Sequence, residues 1–237
     1  MAITLSITQD EINTVLGNFL ISVLPAGVSI VAGQINRVPE PSGSDFVEMT
    51  PIFQDRFATN NDQYIPALFQ GSISGVTLNI ASAIVGKVQV GSTIYGPGVS
   101  ANTVITALGT GIGGVGTYTV NNSQTVGSSE LQAGTNVVEQ DTEVTIQLDV
   151  HGPNSSDNSQ IITTLFRDQY ATNFFTDAGY DMAPLYVEGP RQMPFVNGEQ
   201  QVEYRYVVDV VLQVNPIITL PQAAATVFNI NGIYDVL

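Results

Sequence analysis

His151, the single histidine of the chain, is the first residue to consider for catalysis. Asp149 lies two positions before it on the same face of an expected strand, and Ser155 and Ser156 follow closely. The sequence therefore contains the residue types of a hydrolytic Ser-His-Asp trio within a short segment. The serines, however, stand where a helix should begin, His-Gly-Pro is typical of a strand that ends in a turn, and the sequence has no Gly-x-Ser-x-Gly nucleophile elbow. We therefore expect these side chains to be structural, no residue to be catalytic and the protein not to be an enzyme.

A glycine-rich segment can be compared with nucleotide-binding loops. Gly-x-Gly-x-x-Gly occurs twice in overlap, as Gly109, Gly111 and Gly114 and as Gly111, Gly113 and Gly116. Dinucleotide binding requires a helix N-terminus after this pattern to meet the pyrophosphate, whereas the strand-like sequence GTYTV follows here. The pattern predicts a loop between strands and no cofactor.

Three aspartates, Asp168, Asp177 and Asp181, raise the question of a cation site. Their spacing does not fit a calcium-binding loop, and carboxylates cluster by chance in a chain this acidic. Tyr204 and Tyr206 alternate with charged residues, which favours core packing over an aromatic stacking platform. We expect no metal site.

Composition limits the classes of function. The 237 residues carry 21 acidic and six basic side chains, a formal net charge of −15, so no basic stripe exists that could replace phosphate counterions or dock on an anionic membrane. Only 11% of the residues are charged, which leaves much of the surface to Ser, Thr, Asn and Gln and suits packing against other proteins. The absence of cysteine excludes disulfides and thiolate metal sites. The apolar stretch near the N-terminus lacks a basic leader and is too short to span a bilayer, which predicts a soluble cytoplasmic product.

Hydrophobic periodicity predicts the elements that position these residues. A capping box of Thr8 and Glu11 should begin a helix that runs to about Val23 and has one apolar stripe. A second helix should begin with Ser155 or Ser156 as its N-cap and run to about residue 174. Strands are expected over residues 28–35 and over DFVEMTPIF, and these two should pair as a hairpin with a long loop. Two further strands are expected, over EVTIQLDVH and over residues 202–214. Two helices and four or five mostly antiparallel strands make an α+β core.

The composition changes abruptly in the middle of the chain. Residues 66–140 hold 13 of the 22 glycines but only three charged residues, and the short runs VTLNI, KVQV, TVITAL and GTYTV alternate with glycine-rich turns. We expect a small all-β module here, inserted into an α+β core whose two parts are residues 1–65 and 141–237.

The last twenty residues form an apolar, extended arm that is too short for a domain. At roughly 25 cal/mol per Å² of apolar surface, covering half of its side chains would contribute several kcal/mol. The arm could fold back on its own core or cross to a partner, and we predict the second, with these interface residues: Ile218, Leu220, Val227, Phe228, Ile230, Ile233 and Tyr234.

The core segments resemble a known family. NRVPEP with DFVEMTPI, TIQLDVHGPNSSDNSQIITTLFRDQYA and QQVEYRYVVDVVLQVNP look like the neck terminator or tail-completion (head-tail joining) proteins of tailed bacteriophages, and LDVHGPNSSDNSQ is the most specific part. The resemblance implies a tail-terminator-like fold without catalytic residues, and a ring, commonly hexameric, that caps the tail tube and receives the head connector. The middle segment resembles the Gly/Thr-rich β modules of phage tail and fibre proteins.

The predicted function is therefore that of a structural virion protein, assembled in the host cytoplasm. Its expected partners are copies of itself, tail tube or sheath proteins and head-completion or connector proteins, with no membrane. DNA should pass through an acidic lumen without specific binding, because carboxylates repel phosphates. The alternative is a glycan-binding or adhesive module associated with the tail or fibre, which a soluble monomer with a sugar-dependent melting shift would favour.

Overall fold

The structure is a computed structural model that describes residues 5–33, 45–193, 195–196 and 202–221. By their backbone contacts these residues form two compact units. We call residues 5–60 with 139–217 the core unit, and residues 61–138 with 218–221 the β unit. Of the described residues, 55% lie in strands and 18% in helices.

The described residues form three helices and thirteen strands. In chain order they are α1 (Gln9–Val23), β1 (Ser29–Ala32), β2 (Phe46–Arg56), β3 (Asn61–Val85), β4 (Thr93–Tyr95), β5 (Thr103–Leu108), β6 (Gly116–Glu139), β7 (Thr142–His151), α2 (Ser155–Phe166), α3 (Gln169–Asp177), β8 (Met182–Val187), β9 (Arg191–Gln192), β10 (Phe195–Val196), β11 (Val202–Glu203), β12 (Arg205–Val214) and β13 (Ile217–Pro221). None of the described helices is long and apolar enough to cross a membrane.

The core unit is built on a six-stranded sheet with the order β1-β2-β7-β12-β8, in which β9 also pairs with β12. β7 is antiparallel to β2 on one side and to β12 on the other, while β1 and β2 are parallel. Alternate side chains of β7 lie on one face and are buried in a cluster with residues of α1, α2 and α3: Val144, Ile146, Leu148 and Val150. All three helices therefore pack on that face of the sheet.

α1 forms where the sequence predicts it. The Glu11 carboxylate accepts a hydrogen bond from the Thr8 backbone N–H at 2.6 Å, and the Thr8 hydroxyl accepts one from the Glu11 N–H at 3.3 Å, so the predicted capping box is confirmed. The apolar stripe is buried, and Phe19 at its centre lies against four aromatic rings of α2 and α3. The cap and the stripe together fix where this helix begins and which face it buries.

The β unit has a hydrophobic core of its own. Its sheet has the order β13-β6-β4-β5, and β3 also pairs with β6. The largest fully buried side chains of this cluster are Phe69, Ile73, Leu78, Ile80, Ile94, Ile105 and Tyr118. β13, the strand that begins the C-terminal arm, belongs to this sheet.

The predicted fold class, an α+β core interrupted by a small all-β insert, is wrong. The described residues are mostly β, with two large sheets and three helices. TVITAL is the short strand β5, as predicted, but VTLNI and GTYTV are parts of β3 and β6, which have 25 and 24 residues, and KVQV lies in no strand. Gly71 and Asn79 both lie in β3, and a Cβ added to Gly71 would meet the Asn79 carbonyl oxygen at 2.9 Å, so the chain folds back on itself between them. Gly75, midway between the two, has a positive φ of 62° and permits this turn.

The second predicted helix is in fact two helices. α2 ends at Phe166, and Asp168, in an extended conformation, accepts a hydrogen bond from the Tyr170 N–H at 2.9 Å and so caps α3. The helix count was therefore too low because an internal cap was read as part of a continuous stripe.

The predicted serine cap of α2 is also wrong. The N-cap is Asn154, whose backbone N–H and side-chain amide both donate to the carboxylate of Asp45 at 2.9 Å, and Ser155 is already the first helical residue. Asn154 makes no side-chain hydrogen bond to the first turn of α2, and a carboxylate distant in the chain holds the cap residue itself.

The predicted hairpin of the first two strands is wrong in direction. β1 pairs with β2 in parallel, with Ser29 opposite Phe46 and Ala32 opposite Met49. A hairpin requires antiparallel strands, so β1 and β2 do not form a hairpin.

Candidate functional site

The face of the core sheet opposite the three helices carries most of the polar side chains of its strands, and we call it the polar face. The strand registers place its residues in five transverse rows. The rows are Phe46, His151 and Arg205; Glu48, Asp149, Val207 and Arg191; Thr50, Gln147 and Asp209; Phe53, Thr145, Val211 and Tyr186; and Asp55, Glu143, Gln213 and Ala183. These ordered rows of polar side chains make this face the candidate interaction surface of the core unit.

Two ion pairs order the middle of the polar face. Arg205 donates from Nε and Nη2 to Asp149 Oδ1, at 2.9 and 2.6 Å, and Asp149 is 6% exposed. Arg191 donates to Asp209 Oδ2 at 2.6 Å, but its side chain is half exposed. The first pair holds β7 and β12 together in a partly desolvated site, whereas water weakens the second.

Acidic residues outnumber basic ones on the polar face. Among the described residues, five carboxylates lie on it against the two arginines: Glu48, Asp55, Glu143, Asp149 and Asp209. Asp55 lies directly opposite Glu143 in the register. Like charges in this position destabilise a sheet, so sheet stability does not explain the acidity.

Tyr186 lies beside this acidic pair. Its hydroxyl donates to Glu143 Oε1 at 3.3 Å, and burial, followed by the charge of Glu143, raises the pKa of Tyr186. The tyrosine thus stays a neutral hydrogen-bond donor at neutral pH and does not add to the negative charge.

The structure does not assemble the Ser-His-Asp trio that the sequence allows. His151 stacks on Phe46, with ring centroids 4.4 Å apart, and its Nδ1 lies 3.3 Å from the carboxylate of Glu203. Asp149 is bound instead by Arg205, and Ser155 is buried at the start of α2. These contacts support the structural interpretation of each residue.

The glycine pattern lies in the turn between β5 and β6, as predicted, with a strand on either side. The Tyr118 hydroxyl accepts from the Gly113 N–H at 2.9 Å and donates to the Gly114 carbonyl at 2.7 Å. Gly111 approaches the same ring so closely that an added Cβ would lie 2.2 Å from the hydroxyl oxygen. The glycines therefore serve the packing of a tyrosine.

The three aspartates considered for a cation have separate surroundings. Asp168 caps α3, Asp177 is its last residue, and Asp181 accepts from the Asn215 side chain at 3.1 Å. Within the described ranges, no group of three or more His, Asp or Glu side chains is arranged to hold a metal ion. The predicted packing role of Tyr204 is not seen, because 58% of its surface is exposed, while Tyr206 packs at the edge of the core.

Of the predicted interface arm, the structure describes only the beginning. Ile218 and Leu220 lie in β13 and are half-buried. The other predicted interface residues, Val227, Phe228, Ile230, Ile233 and Tyr234, lie outside the described residues.

Two site features were not predicted from the sequence. The Asp149–Arg205 pair joins strands that are 56 positions apart, and the Asp45–Asn154 cap joins residues 109 positions apart. One signal was available for the first: Arg205 is among only six basic residues and lies in a strand in which five of the ten residues are valine. No local pattern points to the second.

A known protein family matches the second half of the chain. The model of the family described as "Phage neck terminator protein" matches residues 110–235, which is more than half of the chain and includes β6, β7, all of α2 and α3, and β12. No curated protein matches the chain. The chain therefore belongs to the phage neck terminator protein family and is a structural component of the virion neck.

Proposed function

We propose that this protein forms a closed ring, hexameric as the resemblance implies, that terminates the tail tube at the neck and joins the tail to the head connector. Membership of the neck terminator family supports a place at this junction. A chain with few charges and a surface rich in hydroxyl and amide groups is suited to stable packing against copies of itself and against tail and connector proteins.

The polar face of the core unit is proposed to line the channel through which DNA passes. The observation that carries this assignment is the uncompensated acidity of the face, above all the opposed Asp55 and Glu143. Such a surface repels phosphates, so DNA slides past it without binding.

Residues 66–140 are proposed to be a module inserted between the two parts of the core, 1–65 and 141–237. The separate hydrophobic cluster formed by residues between Ala67 and Ala133 supports a module here, to whose sheet the second part of the chain adds β13. Deleting residues 67–139 with a short Gly/Ser bridge should leave a core that unfolds cooperatively by circular dichroism. A core that stays unfolded with every bridge length would contradict the proposal.

The arm from Ile218 onward is proposed to contact a neighbouring subunit or a tail protein. Ending the chain after Pro221 tests this while keeping β13 in its sheet. We expect a chain that melts as the full-length protein does but no longer forms rings or completes tails. A truncated chain that forms rings normally, or that loses its fold, would show that the arm serves its own subunit.

The ring and its channel can be tested together. The full chain should have the mass of a closed oligomer by light scattering, and images of labelled particles should place it at the neck. Replacing Asp55 and Glu143 by lysine should leave the mass unchanged but slow DNA ejection from purified particles, because lysines in the channel would bind phosphates. The matched control is lysine at Asp10 and Asp177, two exposed helical carboxylates away from the polar face. A monomeric mass, or equal ejection rates for both double variants, would contradict the proposal.

A further inference from the structure

The core unit contains a groove of about 630 Å³ that has no part in the polar face. The turn after α1 forms one wall and the first turns of α2 form the other. The apolar part of its lining comes from Pro25, Ala26, Val28 and Ile161. A groove of this size is large enough for several side chains of a partner.

The polar groups of the groove are only partly satisfied by the residues that the structure describes. Asp45 is engaged by Asn154. Asp157, in contrast, is exposed and has no hydrogen bond or ion pair to the described residues. Asn158 is 2% exposed, and its Nδ2 group has no acceptor among them. A buried amide donor without an acceptor is costly, so the groove fits an occupant that brings a carbonyl oxygen and a positive charge.

The β unit presents a segment with complementary properties, the loop of residues 109–116. Tyr118 holds this loop through two hydrogen bonds, and the Val88 N–H donates to the Gly113 carbonyl at 2.8 Å. Ile112 at its tip is nevertheless 89% exposed. A large apolar side chain displayed on an ordered loop is suited to bind an apolar surface with little loss of conformational entropy.

A positive charge accompanies the loop. Lys87 is the single basic residue of the sequence from 61 to 138, and it is exposed with no ion-pair partner in the described part of the chain. It lies against the loop, because a Cβ added to Gly113 would be 3.2 Å from Lys87 Cβ. The loop thus offers together an apolar tip, a cation and backbone carbonyl oxygens.

We infer that the 109–116 loop of one subunit docks in the groove of the next subunit of the ring. Ile112 covers the apolar wall, Lys87 pairs with Asp157, and a loop carbonyl accepts the Asn158 amide hydrogen. Because the loop and the groove are different surfaces of the same chain, the contact is heterologous, and repeating it generates a ring if the rotation closes. This inference rests on the proposed ring and names the contact that builds it.

Disulfide trapping tests the contact directly, since the chain has no cysteine of its own. A variant with Ala26→Cys and Ile112→Cys, oxidised as purified protein and in purified particles, should give a ladder of covalent oligomers on a denaturing gel. The matched control pairs Ile112→Cys with Ile21→Cys, which is 65% exposed on α1 but does not line the groove. A disulfide formed within one chain, the absence of any cross-link, or equal ladders from both cysteine pairs would overturn the inference.

A charge exchange tests the same contact without cross-linking. Lys87→Glu and Asp157→Lys should each weaken ring formation about tenfold or more, and the double variant should recover it, as close interfacial charge pairs do. Asp10→Lys, which reverses an exposed charge in the first turn of α1, should have no effect. Two single variants that assemble normally, or a double variant no better than the singles, would overturn the inference. The mass of the unmodified protein in solution distinguishes the two failures. If it forms a ring but the variants show none of these effects, only the proposed contact is rejected. If it forms no ring, the proposed function is rejected as well.

Discussion

The two units use β-structure in opposite ways. In the sequence ranges of the core unit, 18 acidic and five basic residues give a formal charge of −13, whereas residues 61–138 of the β unit carry two acidic residues and one basic residue. The core unit covers one face of its sheet with helices and concentrates carboxylates on the other. The β unit has no helix among its described residues and builds its core mainly from strands, in a range that holds 13 glycines. The difference shows that a sheet in this protein can form with few charged residues, so β-structure alone does not require the carboxylates of the core unit.

The largest effect is expected from removing an aromatic ring from either core. Phe19→Ala in the core unit and Phe69→Ala in the β unit should each cost about 3–5 kcal/mol, because both rings are fully buried. If the two clusters are independent, each variant should lower the melting temperature of one calorimetric transition only. A single transition that both variants lower equally would show that the units unfold as one.

The next effect concerns the ion pair within the polar face. Arg205→Ala should cost about 3 kcal/mol, because it leaves the buried Asp149 carboxylate without its partner. Arg191→Ala is the matched control and should cost less than about 1 kcal/mol, since that arginine is half exposed. Urea unfolding measures both values, and equal costs would contradict the difference in burial on which this prediction depends.

The packing of Tyr118 against the glycine loop gives a smaller effect in the β unit. Gly111→Ala should cost about 1–3 kcal/mol, because the added Cβ would overlap the tyrosine hydroxyl. Gly114→Ala in the same loop meets no atom within 4 Å and should be nearly neutral. Thermal melts of the two variants compare them directly, and similar melting temperatures would show that the loop can shift to accept a side chain.

The smallest effect is a pH dependence in the core unit. The backbone hydrogen bond from Thr8, and then that from its hydroxyl, lower the pKa of the Glu11 carboxyl in the folded protein. The charged carboxylate therefore stabilises the fold at pH values above the ordinary glutamate pKa, and this contribution is lost as the pH falls through the lowered value. Glu11→Gln should be less stable than the wild type at neutral pH, with a difference that shrinks in acid. A difference that does not change with pH would contradict this account of the capping box.

The sequence predicted the elements whose signals are local. The capping box at Thr8, the alternation through Val144 to Val150, and the strand-loop-strand context of the glycine pattern are all confirmed. Pairing between distant residues was not predictable in this way: the parallel register of β1 and β2 and the Asp45–Asn154 cap depend on segments that are far apart in the chain. The fold class was wrong for a related reason, since pairing with distant segments, such as that of β13 with β6, extends strand structure beyond the short apolar runs from which strands were predicted.

The assignment of the acidic face to the channel can be tested most directly by electron cryomicroscopy of the neck in purified particles. The account predicts a closed ring of this protein in which Asp55, Glu143 and Asp209 face the central channel and the β unit does not line it. A ring in which these three carboxylates are buried against a neighbouring protein, with the β unit around the DNA, would contradict it.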